Sequence, residues 1–507
     1  MRNFSFAYLS LLAFMAVFVL TRLHRLLPTS PPVGGGSLVP FLESFLDYHG
    51  SEQHREEGVG DDDGGGGDEP PRKTTYRPPQ TPDTVESLDD LLLPMQVLEE
   101  YKKYHSADAL HRERSADRGG NGNRTYALGM YQCPLAAGNR LHEFVNQLLW
   151  AVLTNRTFLW SYWDDQTCLK YAPDKMIELH TCEMATTDKA SKATCDEMLN
   201  LAPWIPSYDE FSASLQLPQP VTIPAVATLP TPTARAIQRG AKPVVVDVKY
   251  GSLSEPKVAI FMRYQNRISY LGDPEVMSLK LATAWGRQAA EKLFSLGEEF
   301  LYGLLLRSSF DFTEKIRQSV IPDIHKQQND NTHDDSMYTV AMHSRHNESD
   351  DTGCNVASEQ SCLGELLEKR MAWKRHRSCR VALMSDRECT IANLRTWLEG
   401  EPYSCDVRVA PHEAGTGTFE EHGPFAGAGY FQDLVLASAV TRHGVVGSLE
   451  DPSRYGEAWR SSSSMLLELV DYERKMEAWM WGIDPATLPH LDQCTIQLPM
   501  ATANAAR

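Results

Sequence analysis

Residues 338–346 read YTVAMHSRH: an apolar, β-branched run, Tyr338–Met342, breaks off into the polar and basic His343-Ser344-Arg345-His346. A short apolar run bounded in this way fits a strand buried on both faces, as parallel strands are. Outward from it the pattern repeats. Cys362–Trp373 has helical periodicity, Arg380–Met384 is a strand ending in Ser385-Asp386, and Cys389–Leu398 is a second helix. Then follow Val407–Ala410, the helix Phe431–Val440, the strand Gly444–Gly447 and the helix Ser463–Tyr472. Toward the N-terminus, beyond the polar break QQNDNTHDDS at 327–336, a second block carries strands at Tyr126–Gln132, Thr157–Trp160, Val244–Val248 and Val258–Met262. Its helices are Leu141–Leu153 and one long helix over Ala284–Leu306, and its Pro-rich residues 203–243 read as a surface excursion. Strands alternating with helices in two blocks predict an α/β chain with two doubly wound, Rossmann-like parallel sheets facing a cleft.

In open parallel sheets ligands bind beyond the carboxyl ends of the strands, so the residues just after each strand are the ones to weigh. HSRH, Ser385-Asp386 and the Ser461–Ser464 turn that follows GVVGS form a polar rim suited to phosphate. Arg345 can make a bidentate pair with a diphosphate, the N–H groups at the start of the Ser463 helix can hold another oxygen, and Asp386 can accept from a ribose or base. An ion pair is the alternative for Arg345, and helix capping for the serines. His343 and His346 do not turn to one face at a strand end, so a zinc pair is not expected, and His343 reads as a hydrogen-bonding histidine. In the first block Gly138-Asn139-Arg140 lies in a tight loop, Leu135–Arg140, between strand and helix, where glycine permits close approach and Asn and Arg supply donors. His142 and Glu143, placed in the first helical turn, are candidates for a base or for a cap.

Composition narrows the classes. The 507 residues carry 67 acidic and 49 basic side chains, a net charge of −18, which disfavours nucleic acid as a partner. Residues 1–118 hold 19 acidic and 12 basic groups, so −11 remains on the rest and any anionic ligand must be held by local donors. There is no GxxxxGK[ST], GxSxG, HExxH or CxxC. Phe4–Leu20 is uncharged over 17 residues and is followed by Thr21-Arg22-Leu23-His24-Arg25 rather than a small-residue cleavage site, as expected of an uncleaved anchor. All ten cysteines lie after residue 132, with N-x-S/T acceptors at Asn123, Asn155 and Asn347, and both features suit an oxidising lumen. Cys168, Cys182 and Cys195, and Cys354 with Cys362, read as disulfide partners whose connectivity the sequence leaves open. Gly, Pro and acid over residues 28–90 describe a stem. Its Asp61-Asp62-Asp63 reads as solvated charge, and residues 88–105 form an amphipathic helix leading into the head.

Several motifs resemble a known family. AGNRLHEFVNQLLWAVLTNRTFLW resembles the first motif of the GT-B fucosyltransferase-like enzymes (the α1,6- and O-fucosyltransferase type), and AMHSRH resembles their H-x-R motif. VALMSD resembles their nucleotide-facing strand, and DLVLASAVTRHGVVGS with SSSS their final donor-binding segment. The resemblance spans roughly residues 125–475. It implies that Arg345 holds the β-phosphate, that His343, Asp386, Ser462, Ser463 and Ser464 line the nucleotide site, and that Gly138, Asn139 and Arg140 face the cleft. HSRHNESDD lacks the acid usual two residues after the arginine, and EDPSRYGEAW separates GVVGS from SSSS, which leaves the sugar open.

The expectation is a type II Golgi membrane protein: cytosolic tail 1–3, anchor 4–20, stem 21–118, acceptor-side domain 119–330 and donor domain 331–507. It would transfer fucose from GDP-fucose to a glycan or glycoprotein, with neither a resident cofactor nor a metal. The alternative is a luminal carbohydrate-binding or scaffolding protein with a degenerate site.

Overall fold

The computed structural model describes residues 88–115, 124–129, 137–160, 199–218, 221–223, 257–261, 284–314, 316–318, 320, 337–345, 354–372, 378–411, 428–448 and 461–496. Expectations for the tail, the anchor and most of the stem, and for Cys168, Cys182, Cys195, Asn123 and Asn347, lie outside them. Among the described residues no helix is long and apolar enough to cross a membrane.

Two parallel sheets organise the chain. The first contains β1 (Tyr126–Gly129), β2 (Thr157–Trp160), β4 (Val221–Ile223) and β5 (Val258–Phe261) in the order β2-β1-β5-β4. Between β1 and β2 runs α3 (Ala137–Leu153), whose apolar residues Leu141, Phe144, Val145, Leu148 and Leu149 are all buried. Before β1 come α1 (Leu93–His105) and α2 (Ala107–Ser115); Val97, Leu98 and Tyr101 of α1 enter the same core as α3. Two further strands, β3 (Leu199–Leu201) and β6 (Phe310–Phe312), pair antiparallel, and α4 (Tyr208–Ser214) follows β3.

The second sheet has β7 (Met337–Ser344), β8 (Ser378–Ser385), β9 (Asp406–Arg408), β10 (Gly444–Ser448) and β11 (Asp492–Ile496) in the order β11-β10-β7-β8-β9, every pair parallel. Its helices are α7 (Ala357–Ala372), α8 (Glu388–Glu399), α9 (Ala428–Val440) and α10 (Ser461–Met480). β7 is the centre because Tyr338, Val340 and Met342 are buried in one layer of side chains and Ala341 in the other. Three disulfides, Cys354–Cys389, Cys362–Cys494 and Cys379–Cys405, tie this block together.

Several expectations change. The single helix over Ala284–Leu306 is two, α5 (Ala284–Leu293) and α6 (Glu298–Ser309), because Gly297 takes a φ of 91° that ends helical propagation. The Pro-rich excursion contains α4 and a sheet strand, β4, held by pairing to β5. Cys354 pairs with Cys389 rather than Cys362, since Cys362 faces the last strand and reaches Cys494. Most relevant to the site, α3 starts at Ala137, so Gly138, Asn139 and Arg140 form its first turn rather than a loop, and His142 and Glu143 fall in the second turn.

Candidate functional site

Parallel strands end on one edge, and in the second sheet that edge is a row of hydroxyls. Ser344 is in register with Ser385, and Ser448 follows the pair Gly447–His343 on the other side, so β10, β7 and β8 end in neighbouring serines. Each hydroxyl is used. Ser344 Oγ donates to the buried Glu359 carboxylate in the first turn of α7 at 2.6 Å, and Ser385 Oγ accepts from the Arg387 N–H at 3.2 Å. Ser448 Oγ donates to the His343 carbonyl at 3.2 Å and accepts the Arg345 N–H at 3.1 Å. The backbone at Arg345 is thereby pinned at the mouth of the edge, while its residue stays partly exposed.

The start of α10 closes onto this edge. Ser463 Oγ accepts the Ser448 N–H at 3.0 Å and lies 2.8 Å from His343 Nδ1, with His343, Ser448 and Ser463 all buried. His343 therefore braces α10 against β7 rather than presenting its Nδ1 to the rim. Ser462 and Ser464 are buried beside it, and the first N–H groups of the helix have no intrahelical acceptor.

Tyr430 of α9 completes the cluster. Burial raises the pKa of its phenol above the ordinary value of 10, a hydrogen bond with Ser462 opposes that, and the charges of Glu468 and Arg345 act on it in opposite directions. Its hydroxyl also donates to Met465 Sδ at 3.4 Å. Asp386 is exposed at the end of β8, one strand from Arg345, where Cys354–Cys389 clips the chain before α7 to the start of α8.

The first block reaches this cluster through α3. Gly138 is buried in its first turn, and one turn further His142 Nε2 lies 2.8 Å from Glu468 Oε2 of α10, both residues 1% exposed. His142 is thus neither a cap nor solvent-facing. The structure brings together Arg345, His343, Ser462, Ser463 and Ser464, sets Asp386 beside them, and ties the helix of Gly138, Asn139 and Arg140 to the same element. Among the described residues no group of three or more His, Cys, Asp or Glu is placed to hold a metal ion.

Ser344 belongs to the HSRH rim read from the sequence; Ser448, Tyr430 and Glu468 were missed. The signal for Glu468 was visible: it is the only charged residue in the apolar run Met465–Val470, four residues after Ser464 and therefore on the same helix face.

Asn155 is exposed in the turn between α3 and β2 with a φ of 55°, and its Oδ1 lies 3.0 Å from His105 Nε2.

No protein-family model matches the chain, and no curated protein matches it. Among solved structures it is similar to an arginine-to-lysine mutant of Arabidopsis thaliana FUT1 in complex with GDP, with 14% identity, 71% of this chain and 75% of that chain covered, and a TM-score of 0.39. It is also similar to fucosyltransferase NodZ from Bradyrhizobium, at 13% identity over 64% of this chain and 87% of that one, with a TM-score of 0.31. NodZ alpha-1,6-fucosyltransferase soaked with GDP-fucose gives 14% identity, the same coverage and the same TM-score.

Proposed function

We propose that this chain is a glycosyltransferase of GT-B type that binds the diphosphate of a GDP-sugar at the carboxyl edge of the second sheet and transfers the sugar to a glycan or glycoprotein hydroxyl. The observation that carries the reading is the hydrogen-bonded relay at the strand edge, in which Ser448 accepts the Arg345 N–H and gives its own N–H to Ser463 in the first turn of α10. GDP-fucose is the donor of choice because the motifs around these residues resemble those of fucosyltransferase-like enzymes. In the reaction an acceptor hydroxyl gives its proton to a general base as its oxygen bonds to the anomeric carbon, the bond from that carbon to the β-phosphate oxygen breaks, and GDP departs with the electron pair. Arg345 and the α10 N–H groups meet the charge that grows on the leaving diphosphate. A guanidinium and a helix N-terminus supply positive potential where a divalent ion acts in other transferases, so turnover should persist in EDTA. The same reading places the chain as a type II protein of the Golgi membrane with a luminal head.

The test uses the full-length protein in detergent: thermal melting with and without GDP, and hydrolysis of GDP-fucose. Wild type should be stabilised by GDP and release it from the donor, with EDTA present or absent. Arg345→Ala should keep the fold and lose about 3 kcal/mol of transition-state stabilisation, at least about 100-fold in rate. Arg345→Lys should recover little, since an ammonium lacks the planar fork. Equal stabilisation of all three proteins by GDP would move the donor site elsewhere. Binding of glycans without release of nucleotide would favour the carbohydrate-binding alternative.

A further inference from the structure

We propose that His142 and Glu468 are a positioning pair through which α3 of the first block sets the nucleoside-diphosphate rim at the start of α10; this rests on the donor-site reading above. Residues 326 apart in sequence meet here at 2.8 Å with almost no exposure. A carboxylate removed from water takes its orientation from the groups that bond it, and the His142 imidazole is one of them. Glu468 is one helical turn beyond Ser464 and five residues beyond Ser463, so whatever fixes Glu468 fixes the azimuth of the rim serines.

The surroundings leave the pair little freedom. α6 presses on the backbone of Glu468 at Gly303, where an added Cβ would lie 2.4 Å from the Glu468 carbonyl oxygen. The neighbouring Tyr302 donates its hydroxyl to Asn146 Oδ1 at 2.5 Å and sets its ring edge-on to His142, with centroids 6.2 Å apart. Three helices thus converge on one imidazole and one carboxylate. The link onward to the rim is Tyr430, which touches Ser462 and Met465 of α10 and lies within reach of the charges of both Glu468 and Arg345. His142 Nδ1 is buried and has no hydrogen-bond partner among the described residues, so the pair with Glu468 is the polar bond that these residues give the ring.

The experiment measures GDP affinity by calorimetry on full-length wild type, His142→Ala, His142→Gln, His142→Asn, Glu468→Ala and the double variant His142→Ala/Glu468→Ala, with thermal melting to confirm folding. His142→Ala and Glu468→Ala should each weaken GDP binding about 10-fold, and the double variant should be no weaker than Glu468→Ala alone, as expected for two groups that act as one. Gln offers an amide N–H at the reach of Nε2 and should restore binding to within about 3-fold, whereas the shorter Asn should not. Should the alanine variants fail to fold, the contrast between Gln and Asn carries the test. Unchanged affinity in folded His142→Ala, or additive losses, would overturn the proposal. So would a His142→Gln protein that binds GDP normally but has lost turnover, which would make His142 a proton acceptor instead. Failure of wild type itself to bind GDP would sink the donor-site reading and this proposal with it, an outcome that the Arg345 variants register separately.

Discussion

Both sheets carry polar bonds where their strands begin, and among the described residues the second adds a buried network where its strands end. At the start of β2, Thr157 Oγ1 lies 2.8 Å from His105 Nδ1 and accepts from Arg124 at 3.0 Å, while Tyr101 donates to the Arg156 carbonyl at 2.5 Å and accepts the Phe158 N–H at 3.0 Å. Near the end of β1 in that sheet rings pack closely: a Cβ on Gly129, its last residue, would lie 2.3 Å from Phe158 and 2.8 Å from Trp160. The second sheet has bonds of its own at the strand starts, Tyr338 to Asp492 and Thr339 to His443, and adds Ser344, Ser385 and Ser448 in a row at the strand-end edge, with its disulfides tying strands and helices behind them. Similar sheets thus divide the labour. The described bonds of the first clasp α1 to the strand starts; those of the second also hold the backbone of an arginine and a helix start at the strand ends.

The largest test of that division is covalent. Cys362–Cys494 closes a loop of 132 residues and joins α7 to the edge strand β11. On the chain-entropy model its removal costs about 5 kcal/mol, an upper figure because the unfolded reference is not structureless. In the double variant Cys362→Ser/Cys494→Ser, hydrogen exchange should rise at β11 and β10 well before β1 and β2, and the stabilisation by GDP should fall. Equal loosening of both sheets would mean that they unfold as one unit and that the contrast is only local.

The second test loads the first sheet. Burial pushes the His105 imidazole down to about 4, opposed by its hydrogen bond with Asn155 and aided by the charge of Arg124. Between pH 6.5 and about 4 the unfolded chain binds a proton that the folded chain does not, so this contribution is complete above pH 6.5 and is lost on acidification. The loss reaches about 3 kcal/mol at the bottom of the window. Acid should therefore open β2 first, seen as exchange at Phe158 and Leu159, and His105→Gln should flatten the dependence of the melting temperature on pH in that range. An unchanged slope would show that His105 is solvated in the native protein.

The contrast also explains what could be read beforehand. Val340–Met342, Val381–Met384 and Val445–Val446 announce themselves because a strand covered on both faces is a continuous apolar run, and the polar residues that stop each run are the candidates for a site. Arg345 and the serines of α10 were legible for that reason. β11 was not, since Asp492-Gln493-Cys494-Thr495-Ile496 has no such run and is a strand by virtue of pairing with β10 and the bond to Cys362. Neither was β4, whose three residues sit in a Pro-rich stretch and become a strand only through β5. Periodicity over Ala284–Leu306 continues across Gly297, because the pattern records which face is apolar and not that one backbone angle has turned positive. The His142–Glu468 contact joins elements 326 residues apart, which no local pattern encodes.

The smallest expected effect falls on the supporting edge and tests compartment as well as architecture. Asn155 opens the acceptor Asn155-Arg156-Thr157, is exposed, and adopts the left-handed conformation that asparagine and glycine tolerate best. Its Oδ1 is bonded to His105, which leaves Nδ2, the atom a glycan would occupy, outside that bond. A glycan here would decorate the strand-start edge of the first sheet, the end opposite to the one that faces ligand in such sheets. Full-length protein synthesised with sealed microsomes should gain a glycan at this position, removable by an endoglycosidase and absent from Asn155→Gly. That variant keeps the turn but gives up the hydrogen bond to His105, so it should lose about 1 kcal/mol of stability and, lying far from the reacting edge, change donor hydrolysis by less than about 2-fold. A head digested by external protease in those microsomes, with no glycan on any acceptor, would remove the luminal placement. A large loss of hydrolysis in Asn155→Gly would show instead that the two edges are coupled and that the division between a supporting sheet and a reacting one is drawn in the wrong place.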